Sequence, residues 1–458
     1  MVPRDSPPLK FNAGGTIQKW SFLYVEMPGM HPHALKLSFD ALNQLVAKFT
    51  AVLKDTGIVT SPPLAPKLVV LNSTDDQQLE DFFKRAASAL QLLCVILPAT
   101  PIPLYNRIKQ LGDVKYGVHT ICTVGSKMAK PQGQDQYFRN VALKFNLKLG
   151  GNNQIVEATR LGIVAEGKTM VVGIDVTHPS PGSSSLAPSV AGMVASIDRW
   201  LGQWPGVLSI QSESRQEMVS SLKDMMKSRL RLWKEMGKNA TLPENILVYR
   251  DGVSEGQYQK VLDEEVPLLR AACKEVYPPA DQAKGLPCLS VVIVGKRHHT
   301  RFYPTREAEA DRSGNTKPGT VVDRGVTEAR SWDFFLQAHT ALQGTARPAH
   351  YFVVLDEIFR PKAAAKSVVS RQGVVDGLQD LTQSMCYVFG RATKAVSICT
   401  PAYYADILCE RARCYLSSVF DSPSNSAAPS VAGSVEGGLP SQQDVQIHAN
   451  LKNSMFYI

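Results

Sequence analysis

Residues 170–179 read MVVGIDVTHP and residues 246–256 read ILVYRDGVSEG. Each opens as an apolar run of strand length, and each carries an aspartate, Asp175 or Asp251, where a charge is costly unless it is paired or bound to a metal. Gly252 lets the chain turn directly after the second acid. Two carboxylates at the ends of adjacent strands repel one another, and that repulsion calls for a cation between them. Mg²⁺ suits such a pair because it is hard, oxygen-seeking and tolerant of phosphate ligands.

Outward from these strands, Ser189–Ile197 and Gly206–Gln211 read as two more strands joined by short turns. A long helix follows from about Arg215 to Glu235, and a second over Ser254–Val276. Strands at Leu289–Val294 and Tyr351–Leu355 and helices at Gly373–Ser384 and Ala402–Ser417 complete the run. Three meandering strands followed by alternating helices and strands is the order of a ribonuclease-H-like fold.

The first third alternates differently. Strands are expected at Lys67–Leu71, Leu92–Leu97 and Tyr116–Val124. Helices are expected from Thr74 to about Leu90, from near Leu104, and from Gln134 to Leu149. Such units imply a parallel sheet covered by helices. Pro98–Pro103 is a stiff loop, because its three prolines fix φ. The stretch 151–168 (GNNQIVEATRLGIVAEGK) marks a boundary. The expected organisation is an N-terminal extension over 1–30, a first domain over 31–160 and a second over 161–458. The Ser/Pro/Gly-rich segment 421–443 within the second domain is expected to be an exposed, mobile loop. No run approaches the ~18 apolar residues of a membrane span, and residues 1–11 lack an apolar signal core, so no membrane partner is expected.

Charge gives the first functional direction. Fifty Lys+Arg against forty-one Asp+Glu leave the 458-residue chain at +9. Between Pro101 and Gly150 there are eight basic residues and two acids, so +6 of that excess sits in one stretch. Such a focus attracts polyanions. Eight cysteines form no Cys-x-x-Cys pair and read as buried thiols of a reducing compartment, against a zinc site or a disulfide frame. Neither GxxxxGK[ST] nor GxGxxG occurs, which disfavours a nucleotide-binding phosphate loop.

Tyr105 and Lys109 are four apart on one expected helix, and Lys144 and Lys148 are four apart on another, so each pair shares a face. Two such pairs can converge on one anion, with helix N–H groups assisting. A terminal phosphate, with up to two charges and several acceptor oxygens, matches that donor set. Solvated lysines with Tyr105 packed in the core would give the same spacing.

The runs VILPATPIPLYNRIKQLGD and NVALKFNLKLGG, together with IDVTHP, YRDGVSEGQ and PAYYAD, resemble the MID and PIWI domains of the Argonaute family, of the fungal, quelling type. The resemblance covers roughly residues 15–458. It implies an α/β chain, a Rossmann-like MID domain followed by a ribonuclease-H-like PIWI domain, cut from a longer protein with N-terminal and PAZ domains. The MID pocket would hold the 5′ phosphate of a guide RNA with Tyr105, Lys109, Lys144 and Lys148, and Arg411 would reach back to it. Many relatives have Gln where this chain has Ile121. His119, two residues earlier on the same strand face, would be either a substitute donor or cation or a buried histidine bonded to backbone.

For the second half the resemblance implies a catalytic set of Asp175, Asp251, Glu217 and Asp406, with Asp175, Asp251 and Asp406 as ligands of Mg²⁺ or Mn²⁺. Glu217 would come from near the start of the long helix, where Glu213 competes with it. Asp406 stands where animal slicers have His. Two ions ~4 Å apart would activate a water and stabilise the leaving 3′ oxygen, so that products carry a 5′ phosphate and a 3′ hydroxyl. Lys296, Arg297, His299, Arg301 and Tyr403 would grip the nucleic-acid backbone. The implied activity is small-RNA-guided endoribonuclease, or slicer, action in RNA silencing. The alternative is a non-cleaving guide-RNA-binding module that recruits silencing cofactors. Partners would be a 5′-phosphorylated guide and a complementary target or passenger RNA, bound by a monomer in the cytoplasm, a nuclear pool also being compatible.

Overall fold

The structure is a computed structural model that describes residues 10–29, 31–100, 102–181, 183–212, 215–360, 371–420 and 439–458. Residues 1–9 of the expected extension, residues 421–438 of the expected loop, and Glu213 lie outside the described residues. The chain forms two compact units. One contains the described residues of Met1–Gln154, Ser180–Ala187 and Arg411–Ile458, and the other those of Ile155–Pro179 and Pro188–Glu410. Among the described residues no helix is long and apolar enough to cross a membrane.

The strands of the first unit are β1 (Thr16–Ile17), β2 (Trp20–Glu26), β3 (Val59–Thr60), β4 (Leu64–Val70), β5 (Leu92–Leu97) and β6 (His119–Val124). Its main helices are α1 (Phe39–Asp55), α2 (Gln77–Ala86), α3 (Ile102–Lys109) and α4 (Gln134–Lys148). Four strands make one sheet in the order β4-β2-β5-β6, with every neighbour parallel. Along β2 the side chains alternate between two cores. Trp20, Phe22 and Tyr24 pack with Phe49 of α1 and Phe145 of α4, while Leu23 and Val25 pack with Phe83 of α2 and Ile108 of α3. Helices cover both faces, which is why β2 and β5 read as unbroken apolar runs.

The second unit is built on β7 (Thr169–Thr177), β8 (Val190–Ala195), β9 (Gly206–Ile210), β10 (Asn245–Asp251), β11 (Cys288–Gly295), β12 (Thr320–Val322), β13 (Asp333–Gln337) and β14 (Ala349–Asp356). They form an eight-stranded sheet in the order β12-β13-β14-β11-β10-β7-β8-β9. The neighbours β7, β10 and β11 are parallel and the flanking pairs antiparallel. The long helices are α5 (Leu222–Glu235), α6 (Val266–Val276), α7 (Arg371–Met385) and α8 (Thr400–Tyr415). Met170, Val172, Ile174 and Val176 of β7 face a core shared with Trp233 of α5 and Leu269 of α6.

The opposite face of β7 positions the acids. A Cβ on Gly173 would fall 1.9 Å from Pro401 O, so glycine is what lets the first turn of α8 approach the strand. Asp175 is the next residue on that face, because strand side chains alternate. In the register, Arg250 pairs with Ile174, so Asp251, one step on, lies beside Asp175 on the same face.

Several expectations need correction. Trp20–Glu26, inside the stretch read as an extension, is an interior strand of the first sheet. Tyr116 ends a π-helical turn, Gln110–Tyr116, that continues α3, so β6 starts only at His119. The long helix starts at Leu222 rather than Arg215, because Arg215 adopts φ 61, which no right-handed helix accommodates. Glu217 therefore lies on an irregular segment before α5. All eight cysteines are free, but Cys288 is exposed and Cys122 and Cys414 are half-buried.

Candidate functional site

In the first unit Tyr105, Lys109 and Asp113 follow one another at four-residue steps along α3 and its π-helical continuation. Lys109, only 2% exposed, donates through Nζ to Thr120 O at 2.8 Å and Thr120 Oγ1 at 2.9 Å. Its ammonium stands 5.2 Å from the centre of the Tyr105 ring. From the end of α4, Lys148, 3% exposed, donates to Phe456 O. Arg411 donates through Nη1 to Asp113 Oδ2 at 2.7 Å and to Phe456 O at 3.1 Å. Its Nη2 donates to Tyr105 OH at 3.3 Å and Tyr457 O at 3.0 Å. Tyr415 OH adds a hydrogen bond to Asp113 Oδ2 at 2.9 Å. Lys144 is half-buried one turn before Lys148.

The electrostatics follow from crowding buried charges of one sign. Burial drives the Lys148 ammonium well below its ordinary range; Asp113 opposes this, while Lys109, Arg411 and Lys144 add to it. Burial works to raise Asp113, but Arg411, Lys148 and Lys109 hold its carboxyl below the usual value. His119 is pushed down to about 3 by burial and by Lys148 and Lys109, against the pull of Asp113. The ring is therefore neutral near pH 7 and offers a hydrogen bond rather than a charge. Its Nδ1 is buried and has no hydrogen-bond partner among the described residues.

In the second unit Asp175, 8% exposed, lies on β7, and Asp251 ends β10 with its Oδ1 accepting from Gly252 N at 2.8 Å. Burial, Asp175 and Asp406 push the Asp251 carboxyl up to about 7. Burial also raises Asp175, with Glu217 adding and Arg250 opposing. Burial and Asp175 raise Asp406, on α8, against Lys296 and Arg297. Glu217 Oε2 shares a 2.7 Å hydrogen bond with His178 Nε2, and its Oε1 lies 2.9 Å from Arg250 Nη2. Although burial acts to raise Glu217, His178 and Arg250 hold it below the usual range. Gly252 has φ +88, and a Cβ there would stand 3.3 Å from Asp175 Oδ1 and 3.6 Å from Glu217 Oε1, so both oxygens border this turn.

These donors fit a hard divalent cation in kind: oxygens only, mutually repelling, with Glu217 Oε1 buried and without a hydrogen bond among the described residues. The expected single cage is not closed, however. Among the described residues no group of three His, Cys, Asp or Glu side chains is arranged to hold a metal ion. Arg250 offsets the repulsion at Asp175 and Asp251, and Lys296 and Arg297 offset it at Asp406, but all three carboxyls still stand above their ordinary range, and Glu217 is retained by His178 and Arg250.

The expected backbone-gripping residues are spread. Lys296, Arg297 and His299 are exposed beyond the end of β11, with Lys296 Nζ donating to Ser397 Oγ at 2.6 Å. Arg301 Nη1 instead donates to its own loop, to Thr300 O at 2.7 Å and His298 O at 3.1 Å. Tyr403 stacks on Phe389 with ring centres 4.5 Å apart. Sequence reasoning passed over Asp113, Arg250 and His178, although all three sit inside the quoted motifs. An arginine within an apolar strand is as improbable as an aspartate and was the available signal.

A four-stranded parallel sheet with a buried cationic cluster, and an eight-stranded mixed sheet with carboxylates on its central strands, define the chain as α/β. Residues 92–417 match the Piwi domain. The chain is 38% identical over 404 residues to protein argonaute 5 of Arabidopsis thaliana, covering 83% of this chain and 38% of that protein. It resembles the crystal structure of the MID-PIWI domains of N. crassa QDE-2 AGO at TM-score 0.69 and 31% identity, covering 98% of this chain and 100% of that one. It resembles the structure of Kluyveromyces polysporus Argonaute with a guide RNA at TM-score 0.79 and 26% identity, covering 98% of this chain and 52% of that one. The chain belongs to the Argonaute family and has its MID–PIWI lobe fold. It spans less than half the length of the curated relatives it matches.

Proposed function

We propose that this chain binds the 5′-phosphorylated end of a small guide RNA in a cytoplasmic silencing protein, through a Rossmann-like MID domain joined to a ribonuclease-H-like PIWI domain. The observation that carries this reading is the burial of Lys109, Lys148 and Arg411 around Tyr105 with one acid, Asp113, among them. Buried cations in excess of their counter-charge are costly and favour an incoming anion. Lys144 and the neutral His119 would complete the donor set. The likeness to an Argonaute solved with a guide RNA supports the same ligand. The test is competition between 5′-phosphorylated and 5′-hydroxyl RNA. Wild type should discriminate, a Lys109→Ala/Lys148→Ala variant should not, and equal discrimination by both would reject the pocket.

A second reading, divalent-metal-dependent endoribonuclease, is favoured by the Asp251 carboxyl standing near 7 beside Asp175 and Asp406. Asp175, Asp251 and Asp406 would hold the ion, Mg²⁺ or Mn²⁺. When bound, such an ion supplies Lewis acidity at a phosphate oxygen and lowers the pKa of a water. Glu217 Oε1 would orient that water, and Lys296, Arg297, His299, Arg301 and Tyr403 would steady the RNA backbone. The products would carry a 5′ phosphate and a 3′ hydroxyl. Guide-directed cleavage that disappears in Asp175→Ala supports this reading, and cleavage that persists in that variant rejects it.

A further inference from the structure

Glu265 lies at the end of a π-helical turn, Val261–Glu265, that leads into α6, and it is 2% exposed. It is absent from the acid set, yet its carboxylate makes several bonds. Oε1 and Oε2 accept from Arg250 Nε at 3.2 and 3.1 Å, and Oε1 accepts from Arg250 Nη2 at 3.1 Å. Oε1 also accepts from Val219 N at 3.0 Å, two residues beyond Glu217. Arg250, fully buried, spends its remaining bonds on backbone: Nη2 on Glu217 O at 2.6 Å and Nη1 on Asp251 O at 2.6 Å.

A guanidinium Nη carries two hydrogens. Those of Arg250 Nη2 are shared among Glu265 Oε1, Glu217 O and Glu217 Oε1, the last an ion pair at 2.9 Å. That oxygen is left facing the Gly252 turn beside Asp175 Oδ1. We propose that Glu265 is a positioning residue, which anchors the segment bearing Glu217 and, by holding Arg250, fixes Glu217 Oε1 at the edge of the acid site. A neutral residue at 265 would remove the charge that holds Arg250, and with it the anchor of Glu217, and would loosen the Val219 amide. The role in cleavage rests on the endoribonuclease reading; the anchoring does not.

The experiment compares wild type, Glu265→Gln and Glu265→Asp by hydrogen exchange and by cleavage with the full-length, guide-loaded protein. In E265Q, amide exchange over residues 216–220 should speed by about tenfold or more while β7, β10 and α5 keep their protection. Cleavage at saturating target should fall by about 10–100-fold with target KM within about twofold, and guide affinity should be unchanged. E265D retains the charge on a shorter arm and should fall between the other two in both readouts, which keeps the proposal testable if E265Q does not fold. Exchange at 216–220 unchanged in both variants, or accelerated throughout the second unit, would overturn it. A wild type that does not cut, or an Asp175→Ala variant that does, removes the endoribonuclease reading instead, and the exchange measurement still decides the anchor.

Discussion

The two sites crowd like charges in opposite ways. In the first unit, Lys109, Lys148 and Arg411 are buried, but carbonyls of Thr120, Phe456 and Tyr457 and the Asp113 carboxylate receive their hydrogens. In the second, Asp175 raises both Asp251 and Asp406, Asp406 adds to the rise of Asp251, and Arg250, fully buried beside them, is engaged by Glu265 and Glu217. Cations have many neutral acceptors to turn to, because every residue brings a carbonyl. Carboxylates need donors, and here Gly252 N supplies one to Asp251 while burial still raises the acid. The buried cations of the first unit are therefore largely satisfied by the protein itself, whereas the acids of the second are only partly offset by Arg250, Lys296 and Arg297.

The contrast can be broken most sharply at Asp175. Asp175→Ala should lower guide-directed cleavage by about 10³-fold or more, about 4 kcal/mol of barrier, with guide binding intact. Next in size, Lys109→Ala with Lys148→Ala should remove about 3 kcal/mol or more of preference for a 5′ phosphate, since each charge-assisted bond contributes ~1.5–3 kcal/mol. Competition binding with 5′-phosphate and 5′-hydroxyl guides measures it directly.

A smaller effect sharpens the account of the acids. Because the folded-state pKa of Asp251 lies near 7, above its ordinary value, the native chain retains a proton that the unfolded chain has lost between about pH 4 and 7. Stability should fall as pH rises through that window, by about 1–3 kcal/mol, and Mg²⁺ should restore part of it above pH 7. Asp251→Asn should flatten the profile in denaturant titrations at pH 5 and 8; an unchanged slope would count against the crowding. The smallest effect is in salt dependence. With about 0.7 counterions released per phosphate on single strands, K109A/K148A should reduce the slope of log affinity against log salt by about one.

Much of this was legible in the chain, and the failures have identifiable causes. Asp175 and Asp251 stand out as charges inside apolar strands, and the four-residue spacing of Tyr105 with Lys109 survives as a shared side of α3. The family resemblance was equally readable, since its motifs fall on β7, β10 and α8, which carry the acids. Trp20–Glu26 was passed over because a strand buried on both faces shows no alternation, and it adjoins a polar, glycine-bearing stretch. Glu217 was assigned to a helix because nothing in its side-chain pattern reveals the left-handed backbone at Arg215. The carbonyls of Phe456 and Tyr457 could not be found by residue type at all, because backbone acceptors leave no signature in sequence. Glu265 illustrates a third kind of failure: it acts through Arg250 and Val219, partners 15 and 46 residues away.

The most direct test of the basic site is the ratio of affinities of the unmodified protein for one guide sequence bearing either a 5′ phosphate or a 5′ hydroxyl, at fixed salt and pH 7.5. Buried Lys109, Lys148 and Arg411 should favour the phosphate by about 100-fold or more. Equal affinities would mean that these cations are fully satisfied by the protein itself, and would contradict the assignment of a phosphate site.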